Sequence, residues 1–499
     1  MREKEFLRKR YGAILAYTGL ILALSGLLML LPLVALFGHP NEAKDASAFT
    51  VPAVCLGLPG LLLWGIFRPF RPTSSVTLTI QEGGVIVVTS WTAVILFSAW
   101  PFMASLNMGF SHALFESVSG WTTTGLSVVD LTIASQMILL WRSTMQLAGG
   151  AGLAIIMMSA IVGPTGIGIS SAEGRSDQLV PHVRQSARLV LIIYSCYASG
   201  GALAYWIAGM SAFDAVNHAF AAVSTGGFST RTESIGYWDS TAIEAVSLPL
   251  MLLGNLSFVT AWFLWRGKLR PVARNGEVRL GAVLITLSGA AMFFLTCQTL
   301  YPQLEKSIRV AVFETVSAIT TTGFSTVGYG NWNAFGLLLL IVLMLIGGGT
   351  CSTAGGIKQY RFYLLCKLLT WEIKRSFMPR TAIFERPVWV GSRRVFVDDA
   401  TVRQVVVFVF LYLATFVFGV MLLCACGYSV GDSLFEFASA LGTVGLSVGV
   451  TSAQMPDAVL WAEILAMFLG RLEFVVVIVS LLKLGRDGRL MAARTPKGK

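Results

Sequence analysis

Ten long apolar stretches run through this chain and leave little room for a soluble domain. They occupy residues 12–37, 50–67, 85–104, 136–162, 186–210, 242–266, 278–300, 334–376 (interrupted), 401–427 and 458–484. About 20 apolar residues suffice for a helix to cross a bilayer, and only 13% of the 499 residues are charged. A soluble protein of this length could not bury so much apolar surface in one core. The sequence predicts an all-α polytopic membrane protein with ten transmembrane helices.

The basic residues fall on one side of these spans. With the N-terminus placed in the cytoplasm, 31 of the 37 Lys and Arg residues lie in cytoplasmic segments. Cytoplasmic loops of membrane proteins are enriched in Lys and Arg, so both termini are expected in the cytoplasm. This distribution explains the net charge of +11. It argues against a nucleic-acid-binding protein, because the basic residues do not cluster in a soluble domain.

A self-similar segment follows the third, fifth, seventh and ninth apolar runs. Three copies begin with Phe-Glu, at Phe115, Phe313 and Phe435, and follow the pattern F-E-x-x-S-x-x-x-T-x-G. The second copy diverges, with Asn217 and His218 in place of Phe-Glu. Each unit is predicted to be a span, a short helix, a glycine-containing segment and a second span. The Glu is expected near the N-terminus of the short helix, where the helix dipole favours a carboxylate.

Four such units predict a pore on a pseudo-fourfold axis, formed by eight of the ten helices. Non-helical backbone at membrane depth is tolerated where it lines a water-filled cavity or is buried in protein. Glycine permits backbone angles that turn successive carbonyls toward one axis, and such carbonyls can replace the water shell of a cation. The candidate selectivity-filter and cation-binding residues are Thr122, Thr123, Thr124, Gly125, Ser224, Thr225, Gly226, Gly227, Thr320, Thr321, Thr322, Gly323, Gly442, Thr443, Val444 and Gly445.

Two other interpretations of these segments were open. A single Thr/Ser/Gly stretch could be an outer loop, but four copies at equivalent places argue against that. Thr326-Val327-Gly328-Tyr329-Gly330 spells the filter signature of potassium channels. It has no counterpart at that register in the other copies, so we assign it to the outer connection.

The eighth apolar run is interrupted by a glycine-rich loop that cannot form a lipid-facing helix. Placed below the filter, this loop could block the pore; a packing kink is the alternative. Arg471 lies inside the tenth span, where a charge is costly and marks a functional site by default. It could repel cations, bind the loop's carbonyls, or pair with a buried acid; Glu473 is two residues away and would not face it. The candidate gating residues are Gly347, Gly348, Gly349, Ser352, Thr353, Gly355, Gly356, Lys358 and Arg471.

With these motifs the sequence resembles the Trk/Ktr/HKT superfamily of potassium transporters, and its TrkH branch in particular, from about residue 76 to 484. The marks are the four glycine motifs, the interrupted eighth span and the Gly470-Arg471 pair. The two extra N-terminal spans are typical of the TrkH branch. Repeat two departs from the pattern at Asn217 and His218, and at Gly254-Asn255 in its second span. In plant relatives Ser at the first glycine accompanies sodium transport, so Gly125 favours potassium.

The resemblance implies a gated, K⁺-selective uptake pore in a bacterial inner membrane. It also implies a homodimer and a cytoplasmic TrkA-type ring that binds NAD(H) or ATP. No nucleotide-binding motif appears, so this chain is expected to carry no cofactor and no enzyme activity, with K⁺ as its transported ion. Two alternatives remain: the channel-like subunit of a potassium-pumping P-type ATPase, and a Na⁺/K⁺ transporter of the same superfamily.

Five units are expected along the chain. Residues 1–75 form a two-helix domain, 76–165 the first pore repeat and 166–270 the second. Residues 271–395 form the third repeat with its intramembrane gating loop, and 396–499 the fourth repeat and a cytoplasmic tail.

Overall fold

The described part of the protein is mostly helical. The computed structural model describes residues 2–70, 78–152, 183–379, 385–390 and 393–492. Its helices are α1 (Arg2–Leu28), α2 (Ala46–Phe67), α3 (Ile80–Ser98), α4 (Trp100–Leu106), α5 (Phe110–Trp121), α6 (Gln136–Gly150), α7 (Val183–Ile207), α8 (Ala212–Val223), α9 (Thr241–Asn255), α10 (Phe258–Trp265), α11 (Leu269–Arg274), α12 (Gly276–Met292), α13 (Leu304–Ile319), α14 (Ala334–Ile346), α15 (Gln359–Ser376), α16 (Asp399–Ala425), α17 (Val430–Gly442), α18 (Asp457–Leu472) and α19 (Phe474–Ala492). Two short strands, β1 (Pro387–Val390) and β2 (Arg393–Phe396), lie between α15 and α16.

Within the described ranges, six helical stretches are long and apolar enough to cross a membrane, and two bent helix pairs raise the number to eight if each pair is one span. The bent pairs are α9 with α10, at 119°, and α18 with α19, at 97°. The predicted fourth span begins as α6, and the rest of it, from residue 153, lies outside the described residues. The predicted eighth span is α14 and α15, separated by the loop at 347–358. The chain is therefore a multi-pass membrane protein, as predicted.

The N-terminal helices α1 and α2 pack along their lengths through small residues. A Cβ atom added to Gly19 would lie 2.7 Å from the carbonyl oxygen of Gly60, and one added to Gly26 would lie 2.7 Å from that of Ala53. Small residues let membrane helices approach closely enough for backbone contact. The pair contacts α3 and α4, at the edge of the first repeat.

Each pore unit has the predicted order of span, short helix, glycine-containing segment and second span. We call the short helices α5, α8, α13 and α17 the re-entrant helices. The second spans stop being helical at comparable places: after Gly150, Asn255, Ile346 and Leu472. At three of these breaks a glycine touches the end of the re-entrant helix in its own repeat. A Cβ added to Gly149, Gly254 or Gly470 would lie closer than 3.0 Å to a carbonyl oxygen, of Trp121, Val223 and Leu441 respectively.

A two-stranded antiparallel hairpin follows the third repeat. Pro387 of β1 pairs with Phe396 of β2. The buried Val388 packs with Leu364 and Trp371 of α15 in a small cluster apart from the main core. The expected unit boundaries after residues 75 and 165 lie outside the described residues, and the five-unit division stays a prediction.

Candidate ion pathway

The four glycine segments, residues 122–125, 224–227, 320–323 and 442–445, share one unusual backbone conformation. A Thr two residues before the last glycine has a positive φ in every segment: 56° at Thr123, 51° at Thr225, 55° at Thr321 and 50° at Thr443. The closing glycines also have positive φ, between 74° and 102°. Positive φ is rare for a β-branched residue. Its recurrence at equivalent positions means that the surroundings impose the same path on all four segments.

The four segments form a closed ring. A Cβ atom added to Gly125 would collide with the carbonyl oxygen of Gly226 in the second segment. The same collision links each closing glycine with the next segment: Gly227 with Thr322, Gly323 with Val444, and Gly445 with Thr124. Glycine is required at each position because the neighbouring backbone occupies the place of a side chain. The candidate filter residues of all four repeats therefore meet at one place.

The acidic residues of the re-entrant helices are placed differently from the sequence expectation. Glu116, Glu314 and Glu436 lie well inside their helices, not near the N-termini, and are completely buried. Each carboxylate accepts hydrogen bonds from the segment that follows its glycine. The backbone N–H groups of Val128, Thr326 and Val448 donate to them at 3.1, 2.8 and 3.1 Å. The helix dipole therefore does not explain why these positions are Glu. Each Glu instead anchors the outer end of a glycine segment by hydrogen bonds.

Tyr329 of the T-V-G-Y-G sequence takes part in the same anchoring. Its hydroxyl donates to Glu314 at 2.5 Å, and the hydroxyl of Thr326 donates to the same carboxylate at 2.8 Å. These residues therefore brace the third glycine segment from its outer connection.

His218 replaces the Glu in the second repeat and keeps its position and burial. One ring nitrogen lies 2.9 Å from Oγ of Ser229, two residues past Gly227, and the other lies 2.8 Å from the carbonyl oxygen of Asp214. Glu116 has an equivalent partner in the first repeat: it accepts a hydrogen bond from the hydroxyl of Ser127, two residues past Gly125. The divergent repeat thus retains the anchor with a different side chain.

Arg142 of α6 was assigned no role from the sequence, yet it connects the first two repeats. Its Nε donates to Glu116 at 2.7 Å, and its Nη1 donates to the carbonyl oxygen of Ser229 at 2.9 Å. Its guanidinium also lies 3.9 Å from the ring centroid of Phe228. The residue is 2% exposed, and a buried charge is tolerated when it is paired and hydrogen-bonded. A lone Arg inside a predicted span was the only sequence signal for it.

The loop at 347–358 lies directly against the ring. The Thr353 hydroxyl lies 3.0 Å from that of Thr225, and the Gly355 N–H donates to the Thr321 hydroxyl at 2.9 Å. A Cβ on Gly355 would also collide with Oγ1 of Thr443. The loop thus contacts three of the four glycine segments, at the Thr that carries the positive φ.

Side chains from two neighbouring helices hold the loop in place. Gly349 donates its N–H to Asn255 Oδ1 at 2.8 Å, and Thr350 donates its N–H to Glu277 Oε1 at 2.5 Å. Within the loop, the Ser352 hydroxyl donates to the carbonyl oxygen of Gly349 at 2.5 Å. The sequence Gly254-Asn255, a departure from the family pattern, therefore has a structural role in binding the loop.

The two ends of the loop pack against each other. The N–H of Gly348 donates to the carbonyl oxygen of Gly355 at 3.2 Å, and that of Lys358 donates to Ile346 at 2.9 Å. A Cβ on Gly356 would lie 2.6 Å from the Cα of Gly347. The loop is therefore a tight, backbone-paired turn.

Arg471 contacts the loop and the end of α6 together. Its Nη1 donates to the carbonyl oxygen of Thr353 at 2.5 Å, and its Nη2 donates to that of Gly149 at 2.7 Å. Arg471, Ser352, Gly355 and Lys358 line a small cavity of about 10 Å³. Of the roles left open for this residue, the contacts favour binding of the loop's carbonyls. The nearby Glu473 pairs instead with Arg361 of α15, at 2.7 Å.

Two hydroxyls of the ring have no hydrogen-bond partner among the described residues. They are Oγ1 of Thr123 and of Thr443, both at the positive-φ position and both buried. Buried polar atoms in proteins are normally paired. Hydroxyl oxygens in this position could contribute ligands to a cation in the pathway.

The comparisons with known proteins establish the family of the chain. A family model described as TrkH, a cation transport protein, matches residues 63–273 and 284–490. The chain belongs to the TrkH family. The resemblance predicted from the sequence is therefore confirmed, and so is the helical, polytopic fold.

Members of the TrkH family match nearly the whole chain. The Trk system potassium uptake protein TrkH of Escherichia coli strain K12 is 31% identical over 485 residues, which cover 94% of this chain and 98% of that protein. The Trk system potassium uptake protein TrkG of the same E. coli strain is 33% identical over 427 residues, which cover 81% of this chain and 85% of that protein. The crystal structure of the potassium transporter TrkH from Vibrio parahaemolyticus matches with a TM-score of 0.81 and 29% identity, covering 95% of this chain and 98% of that one.

Proposed function

We propose that this chain is the membrane-spanning subunit of a Trk-type potassium uptake system, and that K⁺ crosses through the ring of four glycine segments. The observation that carries the proposal is the closed contact of Gly125, Gly227, Gly323 and Gly445 with successive segments. Four equivalent sets of backbone oxygens around one axis can replace the water shell of a cation. The names of the E. coli relatives support potassium as the ion.

In this proposal the loop at 347–358 is the gate. It contacts three glycine segments, and Arg471 holds it from the side of the cavity. Opening requires the Thr353 and Gly355 contacts to break, after which K⁺ passes from the ring past the displaced loop. The positive charge of Arg471 close to the pathway opposes cation passage while the loop is in place.

The surroundings of the pore follow from the same proposal. The chain lies in a bacterial inner membrane with both termini in the cytoplasm, because the basic residues collect on that side. It works as a homodimer with a cytoplasmic TrkA-type ring that binds NAD(H) or ATP and controls the loop. It is a transporter and not an enzyme, and K⁺ is its only ligand in this proposal. A P-type ATPase partner is the alternative, and co-purification distinguishes the two.

Uptake of rubidium and sodium by proteoliposomes tests the proposal. Gly125→Ser and Gly323→Ser place a side chain against the next segment, so the Rb⁺/Na⁺ uptake ratio should fall in both. Gly328→Ser is the matched control, because a Cβ there meets no atom within 4 Å, and its ratio should equal that of the wild type. Unchanged ratios in both folded ring variants would refute the assignment of the ring as the filter.

A further inference from the structure

The second repeat departs from the other three at two positions beside the ring. Ala221 stands where the other re-entrant helices have a serine, and Gly226 stands where the other segments have a Thr or Val side chain before the closing glycine. The serines are Ser119, Ser317 and Ser439, and the larger residues are Thr124, Thr322 and Val444. The second segment nevertheless keeps the same backbone angles. Contacts from another part of the protein must therefore hold the second segment in this conformation.

The serines show what the second repeat lacks. Ser119 accepts a hydrogen bond from the N–H of Gly125 at 3.1 Å and donates one to the carbonyl oxygen of Leu126 at 2.6 Å. In the fourth repeat Ser439 accepts from Gly445 at 3.0 Å. Each serine therefore fixes peptide groups next to the closing glycine, and Ala221 cannot.

Gln146 of α6 supplies the missing contacts from outside the repeat. Its Nε2 donates to the carbonyl oxygen of Gly226 at 2.5 Å, and its Oε1 accepts from the N–H of Phe228 at 3.1 Å. The orientation of the amide is unambiguous, because a carbonyl can only accept and an N–H can only donate. The side chain is completely buried. It thus grips the peptide groups on both sides of Gly227.

The small residue at position 226 makes this contact possible. A Cβ atom added to Gly226 would collide with the amide carbon of Gln146. A Thr or Val there, as in the other three segments, would therefore exclude the glutamine. Gly226, Ala221 and Gln146 fit together as one alternative solution to the anchoring that a serine performs elsewhere.

We propose that Gln146 is a positioning residue that sets the ion selectivity of the pathway through the carbonyl of Gly226. The inference rests on the proposed function of the ring as the filter. The Gly226 oxygen occupies the position in the ring that the oxygens of Thr124, Thr322 and Val444 occupy in the other segments. The Gln146 amide fixes the direction of the Gly226 carbonyl. The carbonyl oxygen therefore cannot move inward to coordinate the smaller Na⁺ ion.

The test compares Gln146→Leu with the wild type in proteoliposomes. Leucine fills similar space but makes neither hydrogen bond. A net loss of about 1 kcal/mol corresponds to roughly a fivefold change, so the Rb⁺/Na⁺ uptake ratio should fall about fivefold. Ser143→Ala is the matched control one turn earlier on α6: it removes a buried hydrogen bond to Asn217, at 2.6 Å, away from the ring. Its ratio should stay unchanged.

A rescue variant separates positioning from general stability. Gln146→Ala with Ala221→Ser and Gly226→Thr gives the second repeat the arrangement of the first, and its ratio should return toward that of the wild type. Gly226→Thr alone should be harmful, because Gln146 is still in the way. Thermal unfolding checks that each variant is folded, and the folded rescue variant decides the matter if Gln146→Leu does not fold.

The outcomes distinguish this inference from the proposed function. If Gly323→Ser lowers the ratio while folded Gln146→Leu leaves it unchanged, the role of Gln146 is refuted and the filter stands. A folded rescue variant whose ratio stays low also refutes it. If folded Gly125→Ser and Gly323→Ser also leave the ratio unchanged, the ring is not the filter, and both proposals fail.

Discussion

Arg471 offers the sharpest test of the gate, because its two proposed effects on ion flow separate in one substitution. Its guanidinium donates to Thr353 in the loop and to Gly149 at the end of α6. These carbonyls belong to different segments, and the forked guanidinium reaches both. A lysine ammonium is a single point that keeps the charge but cannot reproduce the fork. Arg471→Lys therefore removes the bridge and retains the electrostatic barrier, whereas Arg471→Gln removes both.

The magnitude follows from the hydrogen bond that holds the loop. A hydrogen bond from a charged group contributes about 2 kcal/mol, which corresponds to roughly a 30-fold change in an equilibrium constant. If the bridge keeps the loop closed, Arg471→Lys should raise rubidium flux through proteoliposomes without nucleotide by up to that factor. Arg471→Gln should raise it at least as much. Arg489→Gln is the control, because Arg489 is exposed on α19, and its flux should equal that of the wild type.

Two outcomes would contradict this role of Arg471. If Arg471→Lys keeps the low flux of the wild type and Arg471→Gln leaks, the charge alone closes the pathway and the bridge to the loop is irrelevant. If both variants fold and neither leaks, the residue has no part in closing the pore.

Three further outcomes are expected. Deleting residues 348–355 should raise basal rubidium flux, because the segment that contacts the ring is gone; unchanged or lower flux in a folded variant would count against the loop as gate. Glu116→Ala should lower stability by about 3–5 kcal/mol, since it leaves the buried charge of Arg142 unpaired; thermal unfolding measures this, and adding Arg142→Met should recover part of the loss, whereas no recovery would speak against pairing as the cause. Gly470→Ala should lower the melting temperature because its Cβ collides with backbone, while Gly485→Ala, with open space around it, should not; equal melting temperatures would contradict the close packing.

The ring could be predicted from the sequence because its signal is repeated. Four copies of one pattern at equivalent places locate Gly125, Gly227, Gly323 and Gly445 without any long-range information. The rarity of charge inside a span also singles out Arg471. Both features depend on local sequence and on the solvent properties of the bilayer.

The anchors behind the ring could not be predicted in the same way. Arg142 and Gln146 contact residues that lie 87 and 80 positions further along the chain, and the spacing of residues in α6 carries no sign of these contacts. Glu116 was expected at a helix start because Phe110 could not be recognised as the first helical residue from composition alone. The substitution of Ala221 for serine becomes meaningful only when Gln146 is seen in its place.

In the proposed function K⁺ binds within the ring of four glycine segments. Anomalous diffraction from crystals of this protein soaked in rubidium would locate the ion directly. We expect a peak surrounded by the backbone oxygens of Thr124, Gly226, Thr322 and Val444. A peak elsewhere in the membrane region, with none at the ring, would contradict it.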